Sequence, residues 1–416
     1  MEKIKAPWYY LSLLILAGES VFFLPYVLSR IFRPTVLEVF NIDNVELGLC
    51  FSVYGMVAIV SYLFGGPIAD KYPPRKLISM ALFLTSLGGV VYATFPSFFV
   101  LKLLYGYWGL TTVLLFWAPM IKAARIWGTS SSQLKAYGWL EGGRGIVGAL
   151  IASMGVLIFA LFINEDQLGL GIEERRAAFK YVIYFTSILV ACIGILIWFL
   201  LKMNVQKKIV IEKIEFDKVF EVLKLPAVWL LMLVIMCAYM GYKTTDVISL
   251  YARDVMKYSQ VKSAKIATFL LYARPVIAIF IVLFLNRFES TFMLFLGFVI
   301  SFIGALLFFS GFISQSFPLS FMLSIVVLAV GVYGLRTLYF SIMEQGQIPL
   351  LLTGTAVGLI SLVGYAPDIF SGPLIGYFLD DYPGIQGYQY IFLMLAIFSF
   401  FGALASWRYY ILFKTY

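Results

Sequence analysis

Histidine is absent from this 416-residue chain, and cysteine occurs only three times. The first absence removes the commonest metal ligand and the usual proton shuttle near neutral pH. Cys50, Cys192 and Cys237 all fall in apolar runs, where they read as small core residues rather than as a disulfide framework or a metal site. Charge is scarce too. Asp, Glu, Lys and Arg make up 13% of residues, about half the share of a soluble globular chain. No P-loop is present, so ATP is not expected to act directly. No serine or cysteine nucleophile has a histidine to activate it. The chain therefore reads as neither an enzyme nor a cofactor binder.

What it has in quantity is apolar length. Hydrophobic residues form 62% of the chain and the mean hydropathy is +0.94, which belongs to the membrane class. A helix needs about 20 apolar residues to cross roughly 30 Å of hydrocarbon. Runs of that kind are expected near 8–30, 46–69, 76–96, 98–121, 137–163 and 179–202, then near 227–250, 264–285, 290–312, 317–341, 354–379 and 387–412. They use most of the chain and leave no room for a soluble catalytic domain. Lys3 and Lys5 precede the first run, but no small-residue cleavage pattern ends it, so it is expected to stay as a span.

The net charge of +9 follows topology rather than nucleic acid. Cations crowd the N-terminus, the turn Lys71/Arg75/Lys76, the segment Arg125/Lys135, and Lys202, Lys207, Lys208, Lys213, Lys218 and Lys224. With an even number of spans these share one side, which the positive-inside rule makes cytoplasmic. Both termini are then inside, in a multi-pass protein of the plasma (inner) membrane. On the other side Arg30, Arg33, Arg175, Arg176 and Arg253 are interspersed with Glu38, Asp166, Glu173, Glu174 and Asp254. The polar stretch 203–226, "MNVQKKIVIEKIEFDKVFEVLKLP", divides the spans six and six. It predicts an N-terminal bundle at 1–202, a linker lying on the membrane surface, and a C-terminal bundle at 227–416.

The second run ends in "GGPIADKYPPRKL", residues 65–77. This resembles the signature loop of the major facilitator superfamily. Gly66, Asp70, Lys71, Arg75 and Lys76 match it, and Pro73 stands where a second Gly is usual. Gly66 suits close helix approach, and Asp70 can accept from backbone donors at a helix start or pair with a loop cation. The resemblance implies a gating role for this turn. It also implies an all-α membrane fold of twelve transmembrane helices in two pseudo-symmetric six-helix bundles. The repeat after the eighth run, "FLNRFES" at 284–290, keeps only Arg287, with Asn286 in place of the Asp. Two stretches, "FWAPMIKAARIWGTSSSQLKAYGWLEGGRG" (116–145) and "TGTAVGLISLVGYAPDIFSGPLIGY" (353–377), look like the organic-phosphate exchanger branch, the glycerol-3-phosphate transporters.

A charge at the bilayer centre costs about 2.5–3.5 kcal/mol on the insertion scale, so it usually faces a cavity or a partner. The candidates inside the runs are Glu19, Lys102, Lys122, Glu141, Arg144, Lys243, Asp246, Arg274, Arg336 and Asp368. Glu141 and Arg144 share a helix face, as do Lys243 and Asp246. Each pair can be read in two ways. It can be a neutral structural pair, or a cation aimed at substrate and steadied by its acid. The resemblance places substrate-binding cations near Arg144 and Lys243, which would together clamp an anion. It also implies an arginine in the first run, where this chain reads "FLPYVL" (23–28). That departure argues against inorganic phosphate exchange. Arg274 and Arg336 could supply the missing charge, unless they are paired, Arg336 with Glu19 or Asp368 for instance. Tyr105, Tyr107, Trp117, Trp139, Tyr242, Tyr333 and Tyr365 fall near the same levels, with Trp117 and Tyr242 the candidates for substrate contact.

The function expected is secondary transport of a small organic anion by alternating access. The anion is a phosphate ester, sulfonate, carboxylate or sugar acid, carried by exchange or with a coupling ion. Proton-coupled transport of a neutral solute such as a sugar is the first alternative, with Glu19, Glu141, Asp246 or Asp368 as proton carriers. A non-transporting membrane sensor of the same fold is the second. The expected surroundings are a lipid bilayer and a small-molecule substrate, with no nucleic acid and no cofactor, for a protein acting as a monomer. Two tests follow. Cysteine labelling from outside should reach position 167 and not position 208; labelling of 208 alone would invert the topology. Asp70→Asn should fold and slow turnover, and unchanged transport would remove its gating role.

Overall fold

The structure is a computed structural model that describes residues 7–127, 133–163, 171–202, 216–285, 289–313, 315, 317–339, 342–343, 345–348 and 353–413. Its regular elements are helices, and twelve of them are long and apolar enough to cross a membrane. The first six spans are Trp8–Ile31, Asn44–Tyr62, Pro74–Tyr92, Phe98–Ala124, Gly142–Phe162 and Ile172–Leu200. The second six are Pro226–Asp254, Gln260–Ile281, Ser290–Phe309, Pro318–Leu338, Leu359–Asp381 and Ile385–Phe413. The protein is thus an all-α, multi-pass membrane protein. Gln167 and Lys208 lie outside the described residues, as do Asn286 and Arg287 of the weak second copy of the signature turn.

The chain divides into two compact units, Met1–Ile211 with Tyr258–Pro275, and Glu212–Lys257 with Val276–Tyr416. Polar contacts explain why the start of the eighth span belongs with the first unit. Gln260 donates from Nε2 to Glu38 Oε2 at 2.7 Å and accepts from Thr35 Oγ1 at 3.0 Å. Arg175 pairs with the same Glu38. The unit boundary falls at Pro275, inside the helix Gln260–Leu285.

Several spans are irregular, each for a local reason. Pro25 lacks an N–H, and the first span widens there into a π turn over Phe23–Val27. The fourth span has a second π turn at Leu110–Leu114. Beside it Thr112 bonds back to the Trp108 carbonyl at 2.7 Å, Thr111 meets Thr85 at 2.8 Å, and Trp108 Nε1 donates to the Thr85 carbonyl at 3.1 Å. In lipid such side chains take over backbone groups that the helix releases. The seventh span passes from α-helix Pro226–Thr244 through a 3-10 turn Thr245–Val247 to α-helix Ile248–Asp254. The eleventh is two helices, Thr353–Gly364 and Pro367–Asp381.

Large apolar side chains such as Leu161, Val276 and Leu319 are exposed, as expected of faces that meet lipid rather than water. Within the second unit the ninth span packs against the tenth and the twelfth, closely enough that side chains would interfere. A Cβ on Gly331 would lie 2.5 Å from the Ser301 backbone nitrogen. Gly142, in the first unit, has nothing within 4 Å of its Cβ position. Gly331→Ala should therefore lower the thermal midpoint by overpacking, worth about 1–3 kcal/mol, while Gly142→Ala should leave it unchanged or raise it slightly. Equal midpoints for the two, measured in detergent by a thiol-independent fluorescence melt, would contradict this packing.

Candidate functional site

Among the described residues, each unit gathers charge inside its spans. In the first unit it centres on Glu19, 4% exposed, at the end of the first straight stretch of the first span. Arg144 of the fifth span approaches with Nε 3.4 Å from Glu19 Oε2. Arg274 of the eighth span approaches the same oxygen with Nη1 at 3.7 Å. All three side chains are more than nine-tenths buried. The Arg144 guanidinium also lies 5.8 Å from the ring centroids of Phe22 and Trp117, and those two rings meet edge to face at 6.1 Å. An aromatic box of this kind attracts a cation through ring quadrupoles and holds its plane.

Gly143 and Gly145 of "WLEGGRG", and glycines nearby, have a structural reason. A Cβ on Gly143 would strike Ile15 at 2.7 Å, one on Gly145 would touch Pro275 at 3.0 Å, and one on Gly148 would meet Glu19 Oε1 at 2.9 Å. A Cβ on Gly18 would come within 3.2 Å of Arg144 Cδ. The fifth span thus lies flush against the first and eighth, which lets its arginine reach their side chains. Sequence spacing nominated Glu141 as the partner of Arg144. The described partner is Glu19, from another span, and the Glu141 side chain lies outside the described residues.

The second unit gathers its charges where the seventh and eleventh spans are broken. Lys243, 2% exposed, is in the last turn before the 3-10 segment that carries Asp246. Its Nζ is 3.6 Å from Asp246 Oδ2 and 3.4 Å from Asp368 Oδ1. Asp368 sits in the first turn of Pro367–Asp381, where the helix dipole favours a carboxylate. Tyr239 donates its hydroxyl to Asp368, 3.0 and 3.1 Å from the two oxygens. The Lys243–Asp246 spacing was legible in the sequence. The addition of Asp368 was not, and Tyr239 was missed, although it lies four residues before Lys243 on the same face.

Arg336 of the tenth span is placed by an aromatic ring, its guanidinium 3.9 Å from the Tyr242 centroid. Tyr242 faces Tyr333 and Tyr239 at 6.4 and 5.8 Å, and Tyr239 meets Tyr365 at 4.8 Å. Trp139, by contrast, is exposed.

The signature turn has a mixed record. The backbone of Gly66, Asp70 and Lys71 is helical, within Asn44–Lys71, but their side chains lie outside the described residues. Arg75 reaches over the Trp198 ring at 5.5 Å, and Lys76 is exposed. Lys122 of the fourth span donates to the Ala69 carbonyl at 2.6 Å, capping the second helix next to Asp70. Among the described residues no group of three or more Cys, Asp or Glu is placed to hold a metal ion.

Comparisons with known proteins agree with this architecture. The chain is 28% identical over 402 residues to inner membrane protein YqcE of Escherichia coli strain K12, covering 93% of this chain and 91% of that one. It is 28% identical over 413 residues to inner membrane protein YihN of the same strain, covering 97% and 95%. Among solved structures, a bacterial homolog of the human lysosomal transporter Spinster, inward-facing and occupied, superposes with a TM-score of 0.70 at 15% identity over 96% of both chains. A mutant of nucleoside transporter NupG gives 0.73 at 14% identity over 97% of this chain and 99% of that one. At such identities these structures establish the fold alone. The family model matches residues 14–371, and with twelve spans and charged clusters inside them the chain belongs to the Major Facilitator Superfamily, as a membrane transporter of a small-molecule substrate.

Proposed function

We propose that the transported substrate is a small organic anion and that the Glu19–Arg144–Arg274 cluster binds it. The observation behind this is that two guanidinium groups converge on one carboxylate oxygen. Paired guanidinium forks match the oxygens of a phosphate ester, sulfonate, carboxylate or sugar acid. Trp117 and Phe22 supply flat apolar walls beside Arg144. Arg274 is the eighth-span cation that compensates for the uncharged "FLPYVL" of the first.

Lys243, Arg336 and Tyr242 are assigned as substrate contacts of the second unit. The resemblance to the organic-phosphate exchangers supports an anion, with the absent first-span arginine favouring substrates other than inorganic phosphate. Alternating access by two six-helix bundles, 1–202 and 227–416 joined by the linker 203–226, is the mechanism proposed. Gly66, Asp70, Lys71, Arg75 and Lys76 form its cytoplasmic gate. The charge distribution supports cytoplasmic termini, and the names of the two bacterial relatives support the inner membrane. The protein is proposed to act as a monomer.

The purified protein should be screened by thermal shift against phosphate esters, sulfonates, carboxylates and neutral sugars. An anion should stabilise it. Arg144→Gln and Arg274→Gln should each weaken that anion roughly tenfold or more, since a hydrogen bond to a charged group is worth about 1.5–3 kcal/mol. Arg144→Lys should also impair binding, because the planar fork is lost. If the arginines only neutralise Glu19, Arg144→Gln leaves Glu19 paired with Arg274 and binding unchanged, and that outcome would overturn the proposal. So would stabilisation by neutral sugars alone.

A further inference from the structure

We propose that Tyr54, Thr111 and Thr112 are positioning residues, which set the rotation of the helix Trp117–Trp127 and so aim Trp117 at Arg144. The inference rests on the reading of Arg144 and Trp117 as substrate contacts. It starts from how this helix is held. Trp117, its first residue, lies beside Arg144 and meets Phe22 edge to face. Lys122, at its middle, donates to the Ala69 carbonyl at 2.6 Å. Trp127, its last residue, donates from Nε1 to the Pro7 carbonyl at 2.9 Å. One helix of 11 residues therefore runs from the Glu19–Arg144 cluster to the end of the second span, one residue before Asp70.

Helical side chains turn by about 100° per residue, so these contacts all require one rotational register. That register is decided upstream, at the π turn Leu110–Leu114. A π turn takes up an extra residue, and the segment after it is turned relative to an unbroken α-helix. Leu115 and Phe116 follow as a turn. Pro119 then falls in the first turn of the restarted helix, where a missing N–H is tolerated.

Hydroxyl groups from three spans hold the π turn. The Trp108 carbonyl accepts from Thr112 at 2.7 Å and from Thr111 at 3.3 Å. Thr112 has one hydroxyl proton, which goes to that carbonyl, so Tyr54 of the second span is the donor to Thr112. Thr85 of the third span meets Thr111 at 2.8 Å, and Trp108 Nε1 donates to the Thr85 carbonyl at 3.1 Å. Tyr54, Thr85, Trp108, Thr111 and Thr112 are each at most 3% exposed. Gly109 permits the approach, since a Cβ there would stand 2.9 Å from the Tyr54 carbonyl oxygen. Threonine bonding back to a carbonyl four residues earlier bends a helix, and a buried network whose members bond one another specifies one arrangement. Without the two hydroxyls the Trp108 carbonyl loses both side-chain donors. The backbone then favours the α register, in which the N–H of Thr112 serves that carbonyl. One residue of register turns Trp117 away from Arg144 by about 100°.

The test needs no substrate, because the eight tryptophans serve as reporters. The full chain is labelled with fluorotryptophan, and Trp117→Phe and Trp127→Phe identify the two fluorine resonances that mark the ends of the helix. In Thr111→Val/Thr112→Val both resonances should move together, while those of Trp198, Trp229 and Trp407 stay in place. Thr111→Ser/Thr112→Ser keeps the hydroxyls and should leave both at their wild-type positions. Tyr54→Phe removes one phenol oxygen and keeps the ring, so it should move the same two resonances by less. It decides the matter if the double valine variant does not fold. A merely structural role for the threonines would lower the melting midpoint and leave Trp117 and Trp127 where they were. Unmoved resonances in a folded variant would overturn the proposal, as would movement of Trp117 without Trp127, or equal shifts in the serine variant. Failure of the anion-binding proposal would appear instead in the thermal-shift screen and would leave these spectra untouched.

Discussion

One constraint shapes the described charges inside the spans, that an ionised side chain there must meet a partner. Glu19 shows what that demands. Its carboxylate receives arginines from two other helices. Gly143, Gly145 and Gly148 remove the side chains that would stand between. The electrostatic requirement and the close packing are therefore one design. Removing either partner of a buried pair is costly because the survivor stays in a medium of low dielectric.

The second unit meets the same constraint differently. Here the backbone yields instead of the side chains. The seventh span tightens into a 3-10 turn and the eleventh divides in two, and the charged residues sit at those breaks. Irregular backbone in a membrane is tolerated where protein groups take over the released hydrogen bonds. Thr244 bonding to the Met240 carbonyl and Thr245 to that of Tyr242 are examples. The π turns of the first and fourth spans follow the same rule in the first unit. Distortion and charge thus occur together in both units, as expected where a helix must serve a substrate as well as span a membrane.

Aromatic rings divide the arginines into two kinds. Arg144 has both a carboxylate and a pair of rings, so its plane is held from several sides. Arg336 lies directly over Tyr242, in a run of tyrosines that ends at Asp368 through Tyr239. Rings hold a guanidinium without consuming its N–H donors.

The number and approximate place of the spans were legible in the sequence because apolar length is a local property. A run of about 20 hydrophobic residues can be counted without knowing what it touches. Local too was the Lys243–Asp246 spacing, a matter of one helical turn. The tertiary structure alone decided which charges meet. Helical spacing nominated Glu141 for Arg144, yet the described partner is Glu19, and Asp368 joined Lys243 from four spans away. It also decided that the start of the eighth span packs with the first unit, through Gln260 on Glu38 and Arg274 on Glu19. The physical reason is that a buried charge selects its partner by distance in space, which periodicity along a single helix does not encode.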